Sequence, residues 1–401
     1  MPGSIARLTA AALLLHAISA SADTIDLDLS GALARAHRIA PDAIAARGRI
    51  AQAEAGVVSA SVAFVTNPEI EADLGPRFKP GRPLDADATL AQNLEPWRRG
   101  ARRQLASAER AHAQAEGDVT LRDLDLEVSL AFYEAIFASE AADQAKRAED
   151  FAKAAVDAAR RRRQAGEITD LDLNLARVAL GRAHSATQLS LAERATSVGK
   201  LAVLVGAAPA DTLVLRGTLA PPAVPASVDA AKRPDVRALD RDREVAAAEL
   251  AQAIANGRPE VGVLVAYRRE DLDSIVMGGL RLTLPVWNRA QGEKAAARAH
   301  EKTAAEARDV TLHIAERQIA DAMAAYAATK EATDAFERDV LPLLDDSEQL
   351  LQKSIDAGQI AISDYLVARQ ELLTARRDHL ERQLALAKAA LVVRYVTGSQ
   401  P

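Results

Sequence analysis

Four short segments of the chain alternate polar with apolar residues, and they come in two pairs. The first pair spans 67–96 and turns at KPGRP, and the second pair spans 258–287. Alternation with a period of two is typical of strands with one polar and one apolar face, so we predict two β-hairpins. The acidic residues among the alternating positions of the first hairpin are Glu69, Glu71, Asp73, Asp85 and Asp87. The second hairpin alternates less regularly, with Arg281 and Thr283 opposed to Leu280, Leu282 and Leu284.

The length of these strands bears on whether they can cross a membrane. Each is about ten residues long, and a tilted strand needs about 9–11 residues to cross a bilayer. Four strands cannot close a barrel, and open sheet edges are not tolerated in lipid, whereas three chains would supply a closed sheet of twelve strands. The alternative is a four-stranded sheet that packs on helices in water.

A long helical stretch follows each hairpin. Between Arg98 and Arg163 there is neither a proline nor a run of turn residues. This predicts one helix of roughly 65 residues, on the order of 100 Å long at ~1.5 Å per residue. Its apolar positions step alternately by four and three, as in a coiled-coil seam. They are Leu124, Val128, Ala131, Ala135, Ala138, Ala142 and Ala145. The second long stretch runs from 291 to 356, and Pro342 inside it predicts a kink or a break.

The second half of the chain repeats the first. AGEI at 165–168 recurs as AGQI at 357–360. Other landmarks recur in the same order: Pro41-Asp42 as Pro234-Asp235, Pro68-Glu69 as Pro259-Glu260, and Trp97 as Trp287. Because solenoid repeats are only about 20–50 residues long, so long a period indicates a duplicated domain. We predict a first repeat at 23–206, a linker at 207–228 and a second repeat at 229–398.

Both repeats are predicted to share one layout. A helix comes first, at about 30–64 with Ser30 as its N-cap and at about 229–256, and the β-hairpin and the long helix follow. The glycine of each AGxI motif stands where helices usually stop, and a second helix of about 35 residues returns from it. The two motifs are therefore predicted to be the tips of long helical hairpins, at the end opposite the strands.

The first 22 residues have the pattern of a cleaved signal peptide. Arg7 gives a positive start, LTAAALLLHAI is a short apolar core, and Ala20-Ser21-Ala22 is an A-x-A cleavage site. We predict that 1–22 is removed and that the mature chain leaves the cytoplasm. Beyond it no run approaches the roughly 20 apolar residues of a spanning helix, so any membrane insertion would have to use strands.

Composition excludes several classes of function. The chain is 49% hydrophobic but only 3% aromatic, a balance that suits closely packed helices. It has no cysteine, which excludes disulfides, thiolate metal sites, a cysteine nucleophile and a lipid anchor on cysteine. A net charge of −6 without a basic stripe argues against a nucleic-acid partner. The seven histidines lack ligand spacing and no phosphate-binding loop appears, so we predict no metal site, no cofactor and no enzyme activity.

Several motifs occur in a characteristic order: NPEIE at 67–71, AFYEAI at 131–136, GGLRLTLPVWNRAQGE at 278–293, and the paired AGxI segments. Together they resemble the TolC-like outer-membrane efflux family over nearly all of the mature chain, and most closely its cobalt-zinc-cadmium branch. The resemblance implies a mainly α fold with a small β part, in which a homotrimer closes a twelve-stranded β-barrel continuous with an α-helical tunnel. It also implies a place in the outer membrane of a Gram-negative bacterium, contact with outer-membrane lipid, a periplasmic adaptor protein, and an inner-membrane pump of the resistance-nodulation-division type.

The tips and the first hairpin hold the candidate functional residues. In the family, acidic residues just beyond the turn narrow the closed channel, and this role passes first to Asp364 and then to Asp172, each followed by an arginine, Arg369 and Arg177. The alternative is that these acids cap a helix or pair locally with arginine. The predicted adaptor-docking residues are Gly166, Glu167, Ile168, Gly358, Gln359 and Ile360, although the isoleucines could instead pack between hairpins. The acids of the first hairpin are predicted to face the barrel lumen and to favour cations.

The predicted function is passive conduction through an outer-membrane channel of a tripartite exporter. Divalent metal cations are a candidate substrate on the branch resemblance alone. A secreted periplasmic coiled-coil scaffold without a pore is the alternative, and it predicts a water-soluble elongated monomer or dimer. A periplasmic enzyme would need a convergent polar pocket, which the sequence does not indicate.

Overall fold

The computed structural model describes residues 24–76, 84–225, 228–270 and 273–398, so the predicted signal peptide at 1–22 lies outside the described residues. The fold class is confirmed as mainly α with a small β part. The helices are α1 (Leu29–Ile39), α2 (Pro41–Ser61), α3 (Arg98–Gln164), α4 (Asp170–Leu204), α5 (Pro234–Asn256), α6 (Gln291–Asp339), α7 (Leu341–Asp356) and α8 (Ile362–Thr397). The strands are β1 (Thr24–Leu27), β2 (Glu69–Pro76), β3 (Leu84–Leu94), β4 (Thr212–Leu215), β5 (Glu260–Glu270) and β6 (Asp273–Thr283).

The strands form two separate sheets. β2 with β3 and β5 with β6 make the two predicted β-hairpins, and an antiparallel pairing of β3 with β5 joins them into one sheet of order β2-β3-β5-β6. β1 and β4 pair in parallel in a second, two-stranded sheet that the sequence did not predict. That pairing brings the start of the first repeat against the linker.

The first helix of the first repeat differs from its prediction. A single helix at about 30–64 is wrong, because the chain leaves helical geometry at Ala40 (φ −59°, ψ 135°) between α1 and α2. Pro41 causes the break, since proline disfavours helical backbone in the residue before it and donates no hydrogen bond itself. Ser30 is not the N-cap either. The Asp28 side chain accepts a hydrogen bond from the Gly31 amide at 2.8 Å and another from the Ser30 hydroxyl at 2.9 Å.

The long helices agree with their predictions. α3 is 67 residues long and unbroken. Its alanine-rich seam is buried from Leu124 to Ala142, and Ala145 at its end is half-buried. The second long stretch breaks at Val340, between α6 and α7, as Pro342 predicted. None of the helices in the described ranges is long and apolar enough to cross a membrane.

The main hydrophobic core surrounds the middle of α3, where α1, the end of α4 and part of α8 pack against it. Phe132 and Tyr133 form its aromatic centre, with ring centroids 6.1 Å apart and planes at 85°. The Tyr133 hydroxyl donates to the carbonyl of Ala220 at 3.1 Å, which ties the linker to α3. Alanine is the most frequent of the other buried core residues, slightly ahead of leucine, and its small side chain allows helix axes to approach closely.

Candidate functional site

The four-stranded sheet separates its side chains into two faces. Residues paired directly across an antiparallel ladder point to the same face. Glu71 pairs with Thr89, Asp73 with Asp87, and Gly75 with Asp85. Glu69 alternates with Glu71 and Asp73, so all five predicted lumen acids lie on one face of the sheet, which we call the polar face. The sequence prediction that they share a face therefore agrees with the register; that the face lines a lumen stays a prediction.

The opposite face, which we call the apolar face, is almost entirely hydrophobic and exposed. Its most exposed side chains are Leu280 at 81%, Leu74 at 78%, Ile70 at 77% and Val276 at 71%. The others are Leu90, Val263, Val265, Tyr267 and Leu282. No helix of the described chain covers this face. A contiguous apolar surface of this kind is unfavourable in water and indicates contact with lipid or with another protein.

Aromatic residues lie at both ends of the apolar face. Tyr267 lies near the turn that connects β5 to β6, and its hydroxyl is 3.1 Å from that of Ser274. Trp287 follows β6 at the helix end of the sheet and is 88% exposed. Trp97, its counterpart after β3, donates its indole N–H to the carbonyl of Pro259 at 2.9 Å. Aromatic side chains at the two ends of an apolar band are typical of strands at a membrane-water interface.

Both edges of the sheet are open. Among the described residues, β2 and β6 each have a partner strand on one side only. Unpaired edge groups are a template for pairing with another chain, and they are especially costly next to lipid. A single copy therefore leaves the outer backbone groups of β2 and β6 without a partner strand in the described chain.

Arginines also lie on the polar face, and the sequence analysis did not assign them a role. Arg268 pairs with Asp87 across the β3–β5 ladder, and its Nε lies 2.8 Å from the carboxylate. This ion pair joins the two hairpins. Arg281 pairs with Gly262, so it lies on the same face. Arg281 alternates in step with Thr283 on the same strand, which was the signal available in the sequence, whereas the face of Arg268 follows only from the register.

At the other end of the helices, both AGxI motifs form the same backbone structure. Gly166 and Gly358 have left-handed φ angles of 80° and 70°. The amide of Glu167 donates to the carbonyl of Arg162 at 2.9 Å, and the amide of Gly166 donates to that of Arg163 at 3.0 Å. Gln359 and Gly358 make the equivalent two bonds at the end of α7. This is the Schellman motif, which favours glycine because other residues are strained at positive φ, and it explains why the motif occurs twice.

The predicted adaptor-docking residues differ in how they are engaged. Ile168 packs on a small hydrophobic cluster of the two hairpins, formed by Val156, Ala159, Leu173, Ala176 and Ile362. The alternative interpretation of an isoleucine that packs between hairpins therefore describes Ile168. Glu167 accepts from the Arg162 guanidinium at 3.3 Å. Gln359 is exposed and Ile360 is half-buried. That these tips dock an adaptor stays a prediction.

The two candidate aperture acids have different surroundings. Asp172 accepts hydrogen bonds from the backbone amide and the hydroxyl of Thr169 at 2.9 Å and 2.7 Å, and together they form a capping box at the start of α4. The Thr169 hydroxyl and then its amide hold the pKa of Asp172 below its ordinary value. Asp364 is exposed, and its contact with the Ser363 hydroxyl is long, at 3.4 Å. Asp172 thus caps its own helix, whereas the carboxylate of Asp364 is freer to contact solutes or other chains.

The two arginines that accompany them also differ. Arg177 is exposed on α4. Arg369 is half-buried, with its guanidinium 3.4 Å from Glu348 of α7 and 4.3 Å from the centre of the Phe151 ring. It therefore joins the two hairpins rather than extending into open space. The candidate aperture residues are not one contiguous cluster in a single copy.

Other titratable groups of the helices make small local contacts. The ring of His300 lies between Glu249, at 2.8 Å, and Asp242, at 3.4 Å, and the Glu249 hydrogen bond raises the pKa of that histidine. His37 contacts Asp125 at 2.5 Å. In the described part of the chain, no three histidine or carboxylate side chains converge as a metal site requires.

The chain is similar in sequence to a curated protein. No family model matches the chain. Among curated proteins, Protein CyaE of Bordetella pertussis is 28% identical over 323 residues, which cover 75% of this chain and 66% of the relative. The match thus spans just under two thirds of that relative's length.

Solved structures match over almost the whole chain. A crystal structure of CusC, described in terms of folding and transmembrane channel formation, has a TM-score of 0.74 at 16% identity and covers 94% of each chain. The Campylobacter jejuni CmeC outer membrane channel has a TM-score of 0.72 at 16% identity, covering 92% of this chain and 85% of that one. The outer membrane protein VceC of Vibrio cholerae has a TM-score of 0.68 at 19% identity, covering 92% and 96%. The chain therefore has the fold of the TolC-like outer-membrane channels.

Proposed function

We propose that this chain is the outer-membrane channel subunit of a tripartite efflux system in a Gram-negative bacterium. Three copies pair β6 of one with β2 of the next and close a twelve-stranded barrel, and the helical hairpins continue it as a tunnel into the periplasm. The observation that carries the proposal is the sheet, with an exposed apolar face, a polar face opposite and two open edges. Barrel closure satisfies the edges and places the apolar face in lipid.

The conduction that follows is passive, and no step of catalysis is involved. The polar face becomes the wall of a water-filled lumen. Its acids, of which Asp73 and Asp87 face each other, raise the local concentration of cations and hinder anions. The cobalt-zinc-cadmium resemblance makes divalent metal cations a candidate substrate, and substrate choice would then rest largely with the pump that delivers them.

The proposed partners meet the channel at the tips. Both Schellman turns end long hairpins at the end opposite the strands, where a periplasmic adaptor protein would dock. The adaptor would link the channel to an inner-membrane pump, for which the resemblance suggests the resistance-nodulation-division type. The fold shared with channels such as CmeC supports this arrangement.

The assembly state tests the proposal most directly. The chain is extracted from outer membranes in detergent and weighed by native mass spectrometry. We expect a complex of three chains, because only closure satisfies the edges of β2 and β6. A water-soluble monomer or dimer would contradict the channel and favour a periplasmic scaffold without a pore.

A second test concerns the aperture. Asp364→Ala is expected to raise single-channel conductance in planar bilayers, because it removes three carboxylates that would converge at the mouth of the tunnel. Asp172→Ala is less specific, since it also removes the helix cap that Asp172 forms with Thr169. A conductance of Asp364→Ala equal to that of the wild type would remove Asp364 from the aperture and leave the fold proposal intact.

A further inference from the structure

One arginine of the polar face lies in a row of the sheet that contains no acid. Arg281 lies near the end of β6 that leads to the helices, and it pairs across the ladder with Gly262. Gly262 pairs in turn with Asn93 on β3. Across these three strands, the row that contains Arg281 therefore holds one positive side chain, one glycine and one neutral amide.

The guanidinium of Arg281 is uncompensated in a single copy. Its side chain is exposed, and it makes no hydrogen bond or ion pair with any residue in the described ranges. Arg268 and Arg98 differ, because Arg268 pairs with Asp87 at 2.8 Å and Arg98 pairs with Glu260 at 2.6 Å. Arg281 is thus a positive charge that the fold places on the polar face without a counter-ion.

Gly262 places no side chain next to Arg281 in this row. A Cβ atom at this position would lie 3.0 Å from the side-chain oxygen of Asn93 and 3.6 Å from the Cβ of Arg281. A larger residue would crowd this row, so the absence of a side chain keeps the surface next to the arginine accessible. An anion could approach the guanidinium there with the Asn93 side chain nearby.

The acids of the polar face are spread along the sheet, with Glu69 and Glu71 of β2 nearer its helix end and three aspartates nearer the turns. Asp73 faces Asp87, and Asp85 is one row further toward the turns. Arg281 is therefore an unpaired positive charge at the helix end of the polar face, whereas Arg268, nearer the turns, is paired with Asp87. In the proposed barrel, a solute that leaves the helical tunnel would pass Arg281 before it reaches Asp73, Asp87 and Asp85.

We infer that Arg281 is an anion-attracting site at the helix end of the barrel, which takes solutes with carboxylate or phosphate groups. This inference rests on the proposed function, because only a closed trimer brings three copies of Arg281 around one lumen. The three Arg281 guanidinium groups offset part of the negative charge of the lumen acids. The channel therefore conducts anions better than its five lumen acids alone would allow. Guanidinium is the group best suited to bidentate binding of these anions.

Reversal potentials across planar bilayers test the inference. The wild-type trimer and Arg281→Gln are compared in a KCl gradient at about 0.1 M, where charges act over about 10 Å. The cation-to-anion permeability ratio of Arg281→Gln should rise at least about threefold, the factor that corresponds to a change of about one kT in local potential. Added inorganic phosphate should reduce the wild-type current more than that of the variant. At about 1 M salt the difference should largely disappear.

Two control variants test whether the effect depends on the positive charge of Arg281 and on its position on the polar face. Arg281→Lys keeps the positive charge and should leave the permeability ratio close to that of the wild type. Arg269→Gln makes the same substitution in the adjacent strand, but Arg269 alternates with Arg268 and so lies on the other face. It should not change the ratio.

Three results would overturn the inference. An unchanged ratio in Arg281→Gln would mean that an acid of the neighbouring copy, such as Glu69, neutralises the arginine. An equal change in Arg269→Gln would mean that the effect does not depend on the face. Absence of channels from the wild-type trimer would contradict the proposed function itself, and a trimer that conducts without responding to Arg281→Gln contradicts only this inference.

Discussion

Leu280→Arg is expected to abolish most of the trimer recovered from outer membranes. Leu280 is the most exposed large hydrophobic side chain of the apolar face, at 81%, and lies two residues from the centre of the edge strand β6. An arginine on the lipid face of a barrel costs about 2–4 kcal/mol at the bilayer midplane. Each 1.4 kcal/mol corresponds to about a tenfold change in an equilibrium, and three copies carry the charge, so the trimer should fall at least about tenfold. Native mass spectrometry of detergent extracts measures this fall.

Met277→Arg is the matched control for this prediction. Met277 lies on the same strand but pairs with Ala266 on the polar face. In the proposed channel that face is wet, so an arginine there should leave the amount of trimer close to that of the wild type. If both variants assemble equally well, the apolar face does not contact lipid and the proposed function fails. If neither assembles, β6 tolerates no arginine on either face. The trimer yield of Leu280→Ala is then compared with that of Leu280→Gln to decide whether the apolar face contacts lipid.

Asp235→Ala is expected to cause the largest loss of stability among the helix variants. Arg233 is only 3% exposed and donates two hydrogen bonds to Asp235, at 2.6 Å and 3.0 Å. Arg122 of α3 adds a contact at 3.3 Å, and Gln318 of α6 accepts from Arg233 at 2.9 Å. The carboxylate thus joins α5 to α3 and stabilises a buried guanidinium. Removing one partner of a buried ion pair costs about 3–5 kcal/mol, and partial exposure of Asp235 places the expected loss near about 3 kcal/mol.

The pH dependence of this loss identifies its cause. Burial pushes the pKa of Asp235 upward, but the hydrogen bonds from Arg233 and the charges of Arg122 and Arg233 outweigh it and lower the pKa below its ordinary value of 3.8. A carboxyl with a lowered pKa contributes stability above the ordinary value and loses it as pH falls through the lowered one. The difference in unfolding free energy between wild type and Asp235→Ala should be constant from neutral pH to about 4. It should shrink below that, as urea titrations followed by circular dichroism at 222 nm would show.

The predicted duplication supplies a control for Asp235. Asp42 has the equivalent place after a proline in the first repeat, but it is exposed at the start of α2. Asp42→Ala should change the free energy of unfolding much less than Asp235→Ala. Equal losses from the two variants would mean that the effect comes from the helix start and not from the buried arginine.

The structure of the two hairpin tips shows how much of the repeat could be predicted from the sequence. The glycines of the AGxI motifs predicted helix ends, and both adopt the left-handed conformation. The difference between Asp172 and Asp364 was also present in the sequence, since Thr169 precedes Asp172 by the spacing of a capping box and Ala361 precedes Asp364. Because the two aspartates were treated as equivalent positions of a repeat, this difference was overlooked. The break at Ala40 was missed although Pro41 indicated it.

Some features depend on residues that are distant along the chain. The parallel pairing of β1 with β4, the ion pair between Arg268 and Asp87, and the contact of Arg369 with Phe151 each join separate segments. Local propensity and periodicity contain no information about which segments meet, because any strand with a suitable face can pair with any other. The position of Arg281 relative to the acids likewise required the register of three ladders.

By itself, the sequence determined the elements whose physical cause is local: strands from period-two alternation, long helices from heptad spacing, a break from Pro342, and hairpin tips from glycine. Only the tertiary structure decided which side chains share a face, which charges are neutralised, and that the apolar face and both sheet edges have no partner within one copy. The reason is that backbone periodicity acts between near neighbours, whereas register, burial and ion pairing are set by contacts between segments far apart in the chain.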